Sequence, residues 1–372
     1  MRLLDRYLLR ELLVPFSYCL IGFLIFFDSS DLLTQLANFQ TRKLKTAEVA
    51  MYYLLKTPET LVTIIPIAFL LALLYALTNH ARHHEITAIR AAGVSILRIA
   101  LPYLGVGFLL SVGMFLVNEL WVPHSLEEAE EILARHATGE SRSTRAQTEE
   151  KLGFYNAAER RWWLIESYDI PSGGMLRPHV IWIRSDGART EILAQGAFYL
   201  EGTWVFTNGH TLAYEPGPGA LPAPSAFDTV TMPAFKETPD QIRSEIKISK
   251  LTAFNAVRKT QLSLREILEY EELHPGDSSK RAMLDTKLHG RLAAPWTCLV
   301  VVLIALPFGA ASGRRNVFVG VASSILICFV YFVLQQLALA LGTGGHVLPW
   351  VAAWSPNALF SAVGLFLTFR VR

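Results

Sequence analysis

The sequence predicts a membrane protein of six transmembrane helices with an all-β domain inserted between the third and fourth. Three observations support this fold class. The 372-residue chain is 52% hydrophobic, several stretches of about 20 residues carry no charge, and residues 124–285 hold 18 Lys and Arg against 24 Asp and Glu. This composition argues against a soluble enzyme and excludes a disordered chain. Only three cysteines are present, which excludes a disulfide scaffold.

Uncharged stretches locate the spans, because an ionised side chain at the bilayer centre costs about 3 kcal/mol. The first span covers residues 12–33 and carries Asp28 and Asp31 at its outer end. The second, third and fourth are predicted over 60–81, 99–118 and 292–312. The fifth and sixth share the stretch 316–369, which the glycines and proline of residues 342–349 divide.

Basic residues in the short loops set the orientation, because cytoplasmic loops carry an excess of Lys and Arg. With both termini inside, the inner segments hold ten such residues: Arg2, Arg6, Arg10, Arg82, Arg90, Arg98, Arg314, Arg315, Arg370 and Arg372. The outer short loops hold four, namely Arg42, Lys43, Lys45 and Lys56. The count favours cytoplasmic termini and places the inserted domain outside.

The chain therefore divides into an N-terminal membrane half (1–123), an outer domain (124–285) and a C-terminal membrane half (286–372). Within the outer domain the apolar period changes to two, which predicts strands around residues 162–166, 179–184, 197–201 and 203–206. Asn208-Gly209 predicts a hairpin with a type I′ turn. Strands at this spacing are typical of a sandwich, a jelly roll or an open barrel. A helix is predicted over 262–273.

Four tryptophans of the outer domain allow two interpretations. Trp162, Trp163, Trp182 and Trp204 either pack in its core or line an apolar groove for a lipid.

The sequence contains no motif for binding a nucleotide or a catalytic metal ion. The P-loop pattern G-x-x-x-x-G-K-[ST] is absent. His83-His84-Glu85 lacks the second histidine that a zinc protease helix requires, because Ala88 occupies that position. We therefore predict neither a metal site nor a catalytic site.

The loop between the second and third spans, residues 80–96, has the pattern of a short amphipathic helix. Ile86, Ile89, Gly93 and Ile96 fall on one edge, flanked by Glu85 and Arg90. Such a helix either docks on another protein or lies on the lipid surface.

Several segments, in their order along the chain, resemble one family. These are Leu4-Asp-Arg-Tyr, Met51-Tyr-Tyr-Leu-Leu-Lys-Thr-Pro, His84-Glu-Ile-Thr-Ala-Ile-Arg-Ala-Ala-Gly-Val-Ser, His289-Gly-Arg-Leu-Ala-Ala-Pro and Leu306-Pro-Phe-Gly. Over nearly its whole length the sequence is similar to the LptF/LptG permeases of lipopolysaccharide export. Tyr7, Asp31 and Val330-Tyr-Phe-Val-Leu-Gln-Gln make it look closer to LptG.

The resemblance implies a multi-pass protein in the inner (cytoplasmic) membrane of a Gram-negative bacterium, with a periplasmic jelly-roll-like domain. Its implied partners are a cytoplasmic ABC ATPase dimer, a second LptF/LptG-type permease and a single-span LptC-like bridge protein; no nucleic acid is expected. The substrate is lipopolysaccharide. The chain itself is expected to hold no cofactor, because ATP and Mg are bound by the partner ATPase. The loop helix then looks like the ATPase-coupling element, through Glu85, Ile86, Ile89, Arg90 and Gly93.

The same resemblance implies two sets of lipid-contacting residues. Arg42, Lys43, Lys45 and Lys56 are candidates for binding lipid A phosphates, although Asp28, Asp31, Glu48 and Glu59 are alternative partners for these charges. The first and fifth spans are expected to line the lipid cavity and its gate. Their candidate residues are Phe16, Phe23, Phe26, Phe27, Phe318, Phe329 and Phe332.

Two other functions remain open from the residues. One is a mechanotransmission-type ABC membrane subunit that moves no lipid, a class that usually has four spans. The other is a membrane-anchored periplasmic enzyme, against which the scattered histidines of the outer domain argue.

Overall fold

The structure is a computed structural model that describes residues 3–135, 148–170, 172–184, 186–214, 222–249, 262–274, 278–310 and 317–370. The chain forms two compact units. One comprises Met1–Ile132 with Ser279–Arg372, and the other comprises Leu133–Ser278. We call them the helical unit and the sheet unit.

The elements follow one another in three blocks. The first contains α1 (Leu3–Thr41), α2 (Thr46–Arg82), α3 (Glu85–Ala91), α4 (Ile96–Leu116), a π turn (Val117–Trp121) and α5 (Val122–Arg135). The second contains β1 (Thr148–Asn156), β2 (Arg161–Asp169), β3 (Met175–Ile183), β4 (Arg189–Leu200), β5 (Thr203–Tyr214), β6 (Ala223–Met232), α6 (Pro239–Ser249) and α7 (Leu264–Leu273). The third contains α8 (Ser278–Ala293), a 3₁₀ turn (Ala294–Trp296), α9 (Thr297–Ala310), α10 (Val317–Thr343) and α11 (Pro349–Arg370).

Within the described residues, six helical segments are long and apolar enough to cross a membrane. They are α1, α2, α4 with its continuation into α5, α8 with α9, α10, and α11. The prediction of six spans is confirmed. The predicted division of the last apolar stretch also holds, because α10 ends at Thr343 and α11 begins at Pro349.

The helical unit is built around α2 and α9. Helix α9 packs against α2, α4, α10 and α11, while α1 packs mainly on α2. Small residues allow these backbones to approach closely, as is usual between membrane helices. A Cβ atom added at Gly364 of α11 would lie 2.6 Å from the Leu303 carbonyl oxygen of α9. One added at Gly342 of α10 would lie 2.6 Å from the Ala352 Cβ of α11.

The sheet unit contains one six-stranded antiparallel sheet in the order β1-β2-β3-β4-β5-β6. The prediction of an inserted β domain is confirmed. The described strands pair in chain order, as an up-and-down sheet does, and the crossed connection of a jelly roll does not occur among them. Short connections explain this order, since Leu200 pairs with Thr203 across only two residues.

The predicted hairpin at Asn208-Gly209 is wrong, because these residues lie inside β5. Asn208 has a φ of +49°, so the Asn-Gly pair produces a local distortion within a strand. Gly209 is required there: an added Cβ would lie 2.2 Å from the Leu193 carbonyl oxygen of β4. The two-residue turn between β4 and β5 is instead Glu201-Gly202, where both φ values are positive, as a type I′ turn demands.

One face of the sheet forms the core of the sheet unit with Phe235 and α6. Trp163 and Trp204 are fully buried in this core and Trp182 packs against it, which confirms the core interpretation for these three. Trp162 is 45% exposed and stacks on Tyr155 instead.

Candidate coupling and lipid-binding sites

Helix α3 is held by a defined turn at each end. His83 and His84 join α2 to α3, with His84 in the left-handed conformation at a φ of +56°. After α3 the chain reverses at Gly93, where φ is +85° and a side chain would be strained. Ser95 then caps α4, because its hydroxyl accepts a hydrogen bond from the Arg98 amide. The predicted short helix is therefore present and has a fixed place.

Glu85, the first residue of α3, is bound within its own chain. The Tyr7 hydroxyl of α1 donates to the Glu85 carboxylate at 3.0 Å, and His80 Nδ1 of α2 lies 2.7 Å from the same group. Burial raises the pKa of the Glu85 carboxyl group, but hydrogen bonds from His80 and Tyr7 outweigh burial and lower that pKa below its usual value. An ionised Glu85 therefore ties α3 to both α1 and α2.

The other predicted coupling residues divide between two environments. Ile86 is 4% exposed and Ile89 packs partly against the same core of the helical unit. The apolar edge of α3 therefore packs within its own chain. The sequence had left open whether this edge docks on another protein or lies on the lipid surface. Arg90 and Gly93 are exposed, and α3 offers another molecule a surface of one charged side chain, Arg90, among small residues.

A second ion pair fixes the same end of the bundle. Arg98 of α4 contacts Asp5 of α1 at 2.8 Å. Sequence reasoning missed Asp5, Tyr7, His80 and Arg98 as contacts of this region. Tyr7 is 78 residues from Glu85 and Asp5 is 93 residues from Arg98, so no local pattern could have matched these pairs. His80 is only five residues from Glu85, but the turn between α2 and α3 separates them.

Three of the four predicted phosphate-binding residues share one turn. The turn that joins α1 to α2, residues 42–45, holds Arg42, Lys43 and Lys45, and we call it the cationic turn. The side chains of Lys43 and Lys45 are exposed. The Lys45 amide donates to Glu48 at 2.8 Å, which caps α2. The cationic turn is thus a short connection with a capped helix after it, and it exposes positive charge.

Lys56 is separate from the cationic turn. It lies 11 residues along α2 from Lys45, which corresponds to about 16 Å of helix. Its ammonium group contacts the Asp31 carboxylate of α1 at 2.9 Å, and the Tyr53 hydroxyl donates to the same carboxylate at 3.1 Å. The structure therefore pairs Lys56 with one of the acidic partners that the sequence offered as an alternative to phosphate.

The predicted cavity and gate phenylalanines occupy different environments. Phe16 is buried against Phe69 of α2, with ring centroids 5.9 Å apart. Phe23 and Phe332 pack partly against the core. The exposed members are Phe26, Phe27 and Phe329, and the side chain of Phe318 lies outside the described residues. Exposed rings on α1 and α10 supply apolar surface of the size that acyl chains need.

One family model matches residues of both the helical unit and the sheet unit. A family model described as Lipopolysaccharide export system permease LptF/LptG matches residues 6–370. The chain belongs to this family. A search of curated proteins found no match.

Family membership identifies the chain as a transporter permease and agrees with its six candidate spans. The match does not distinguish LptF from LptG. It assigns no role to individual residues, so the coupling, phosphate-binding and gate roles remain predictions for this LptF/LptG permease. Among the described residues, no group of three or more His, Cys, Asp or Glu is arranged to hold a metal ion.

Proposed function

We propose that this chain is the permease subunit that extracts lipopolysaccharide from the inner membrane of a Gram-negative bacterium and passes it to a periplasmic bridge protein. A separate cytoplasmic ABC ATPase supplies the energy. The observation that carries the proposal is the family match over residues 6–370, together with six spans and an inserted sheet unit. A second LptF/LptG-type permease completes the transporter, with this chain in the LptG position. The sheet unit lies in the periplasm and both termini lie in the cytoplasm.

Reconstitution tests this function against the two rivals. Proteoliposomes that contain the chain, a partner permease and the ATPase are expected to release lipopolysaccharide to an added bridge protein only with ATP. A mechanotransmission subunit would bind the ATPase without releasing lipid. An enzyme would alter the lipid without any ATPase. Either of those results would contradict the proposal.

Coupling to the ATPase is assigned to α3. Its apolar edge packs inward and Arg90 is exposed, so the ATPase contacts Arg90 and the small residues around it. Glu85 serves this contact in one of two ways: its carboxylate binds a basic residue of the ATPase, or it orients α3 through Tyr7 and His80. The partial exposure of Glu85, 30% of its side chain, is compatible with both.

Two variants separate these roles of Glu85. Glu85→Ala removes the carboxylate from both partners, whereas Tyr7→Phe removes only the hydrogen bond within the chain. If the carboxylate binds the ATPase, Glu85→Ala should weaken ATPase association about tenfold, a loss of about 1.4 kcal/mol. Tyr7→Phe should then leave association within twofold. Normal association and normal coupling of hydrolysis to transport in Glu85→Ala would refute any coupling role for Glu85.

The cationic turn is proposed to bind lipid A phosphates at the outer leaflet, because exposed ammonium groups attract phosphate. Replacing Arg42, Lys43 and Lys45 by Gln should reduce crosslinking to lipopolysaccharide and slow export. The matched control replaces Lys151, Lys236 and Arg160 by Gln, an equal change of charge on the sheet unit. Unchanged crosslinking and export in the cationic-turn variant would refute the assignment. Lys56→Gln is expected to act through Asp31 and therefore to lower stability as well.

A further inference from the structure

The fourth span is interrupted near its middle. Helix α8 ends at Ala293, residues Ala294–Trp296 form a 3₁₀ turn, and α9 begins at Thr297. Pro295 explains the interruption, because it has no amide hydrogen to give to the preceding turn. The Thr297 amide bonds to the Ala294 carbonyl instead of the Ala293 carbonyl that a regular α-helix would use. A turn of this kind within a helix is where bending is expected.

Three side chains close a polar ring around this interruption. Asn357 of α11 donates from Nδ2 to the Ala293 carbonyl at 2.9 Å. The Tyr331 hydroxyl of α10 donates to Asn357 Oδ1 at 2.5 Å and lies 2.9 Å from the Thr297 hydroxyl. The ring therefore links the last residue before the turn to the first residue after it, through two other spans.

The ring members are all buried. Thr297 is 3% exposed, Tyr331 0% and Asn357 6%. Buried polar groups away from water are costly unless their partners are present, and fully satisfied networks of this kind specify one arrangement. Bending at Pro295 would move Ala293 away from Thr297 and break the ring. The ring thus favours the present angle of the fourth span over other angles.

Both sides of the turn contact other spans. Helix α9 packs against four other helices of the unit. The contacts of α8 include those of Thr286 with Gly342 and of Gly290 with Leu339. The inner half of the fourth span is therefore fixed in the bundle, and the outer half is held against α10.

Arg291, at the end of α8, makes one of those contacts. It donates to the Asn118 carbonyl in the π turn of the third span and lies 3.4 Å from the Glu119 carboxylate. The Asn118 carbonyl needs a side-chain donor, because the Val122 amide bonds to Val117 and Pro123 has no amide hydrogen. The third and fourth spans are the two that lead along the chain into the sheet unit. Arg291 ties the irregular turn of one to the outer helix of the other.

We infer that the 3₁₀ turn Ala294–Trp296 is a hinge in the fourth span, and that Thr297, Tyr331 and Asn357 are positioning residues that hold it at one angle. Opening the ring frees α8 to tilt relative to α9. In the proposed transport cycle, this tilt carries movement of the helical bundle to the chain segments that enter the sheet unit. That last step rests on the proposed function, whereas the hinge itself does not.

Spin-label distances in the purified full-length chain test the hinge. One label is placed at Arg281→Cys on α8, where the side chain is 69% exposed. The other is placed at Leu54→Cys on α2, which is 66% exposed and belongs to the body that packs on α9. Cys19 is replaced by Ala, and Cys298 and Cys328 are buried. A tilt of 10° at the turn moves the far end of α8 by about 4 Å, since α8 is about 24 Å long.

Tyr331→Phe removes only the hydroxyl that joins the ring. It should broaden or shift the distance distribution by several ångströms. The matched control is Tyr103→Phe, because Tyr103 is also fully buried in the helical unit but its hydroxyl has no hydrogen-bond partner among the described residues. This control should leave the distribution unchanged. Thr297→Ser keeps a hydroxyl and should resemble the parent chain, whereas Thr297→Val should resemble Tyr331→Phe.

An unchanged distribution in folded Tyr331→Phe and Thr297→Val would overturn the inference, and so would an equal change in Tyr103→Phe. Pro295→Ala, combined with whichever ring variant folds, gives a second measurement. In the Tyr331→Phe or Thr297→Val chain, where the ring is open, restoring the amide hydrogen should narrow the broadened distribution, and no narrowing would count against the hinge. Because no distance measurement involves ATP, a failed export assay with an intact hinge would contradict only the proposed function.

Discussion

At the scale of single residues, buried charge in the sheet unit decides which segments come together. Arg161 of β2 is fully buried, and its guanidinium lies 3.1 Å from the Glu237 carboxylate and 4.6 Å from the Phe235 ring centroid. Burial lowers the pKa of Arg161, and the charges of Glu237 and Glu159 oppose that shift. Glu237 also accepts hydrogen bonds from Asn156 and Trp163. The segment before α6 is thereby fastened to the sheet.

Glu237→Gln should destabilise the full-length chain by about 3–5 kcal/mol, because it leaves a buried guanidinium without its counter-charge. Glu159→Gln is the matched control. It removes the other carboxylate near Arg161, at 3.4 Å, but that carboxylate is 44% exposed, so the expected cost is below about 1 kcal/mol. Denaturant unfolding followed by tryptophan fluorescence measures both. Equal losses of stability in the two variants would show that burial does not make the Arg161–Glu237 pair stronger than the Arg161–Glu159 pair.

At the scale of elements, close helix packing in the helical unit depends on particular glycines. Gly364 brings α11 against the backbone of α9. Hydropathy identified both spans but gave no indication of which helices touch, because an apolar residue facing lipid and one facing a helix look the same in a sequence. The short α3 is a similar case: periodicity predicted the helix, and packing decided that its apolar edge faces inward.

Gly364→Ala is expected to lower the thermal stability of the detergent-solubilised chain. The added Cβ would meet the Leu303 carbonyl at 2.6 Å, and overpacking of this kind costs about 1–3 kcal/mol. Gly105→Ala on α4 is the control, because nothing lies within 4 Å of its added Cβ. It should be neutral or slightly stabilising, since Ala favours helix over Gly by about 1 kcal/mol. Unchanged melting of Gly364→Ala would contradict the packing described for α9 and α11.

At the scale of the whole molecule, charge distribution predicts how the chain sits in the membrane. Ten basic residues flank the span ends that are predicted to lie inside, and four flank those predicted to lie outside. The acidic middle of the sequence corresponds largely to the sheet unit, Leu133–Ser278. Orientation follows from the positive-inside rule, because moving basic loops across the membrane is disfavoured.

Labelling with a membrane-impermeant maleimide tests this orientation in whole cells with a permeabilised outer membrane. Single cysteines at Lys45 and Lys236, both exposed, should react from outside. A cysteine at Arg90, also exposed, should react only in inverted vesicles or lysed cells. Reaction of Arg90→Cys in intact cells, or protection of Lys236→Cys there, would reverse the assigned topology and remove the basis for placing the ATPase at α3.

The sequence by itself determined the six spans, the inserted β domain, the family and the short helix at residues 85–91. These features depend on hydropathy, periodicity and the order of motifs, and all three can be read from residues that are close together in the sequence. Only the tertiary structure decided that Asn208-Gly209 lies inside a strand, that Lys56 meets Asp31, and that Glu85 binds Tyr7 and His80. It also revealed the ring of Thr297, Tyr331 and Asn357. Apart from His80 and Glu85, which are five residues apart on two different helices, these contacts join residues that are remote in the chain. Such pairings follow from how the helices and strands pack, which no local pattern encodes.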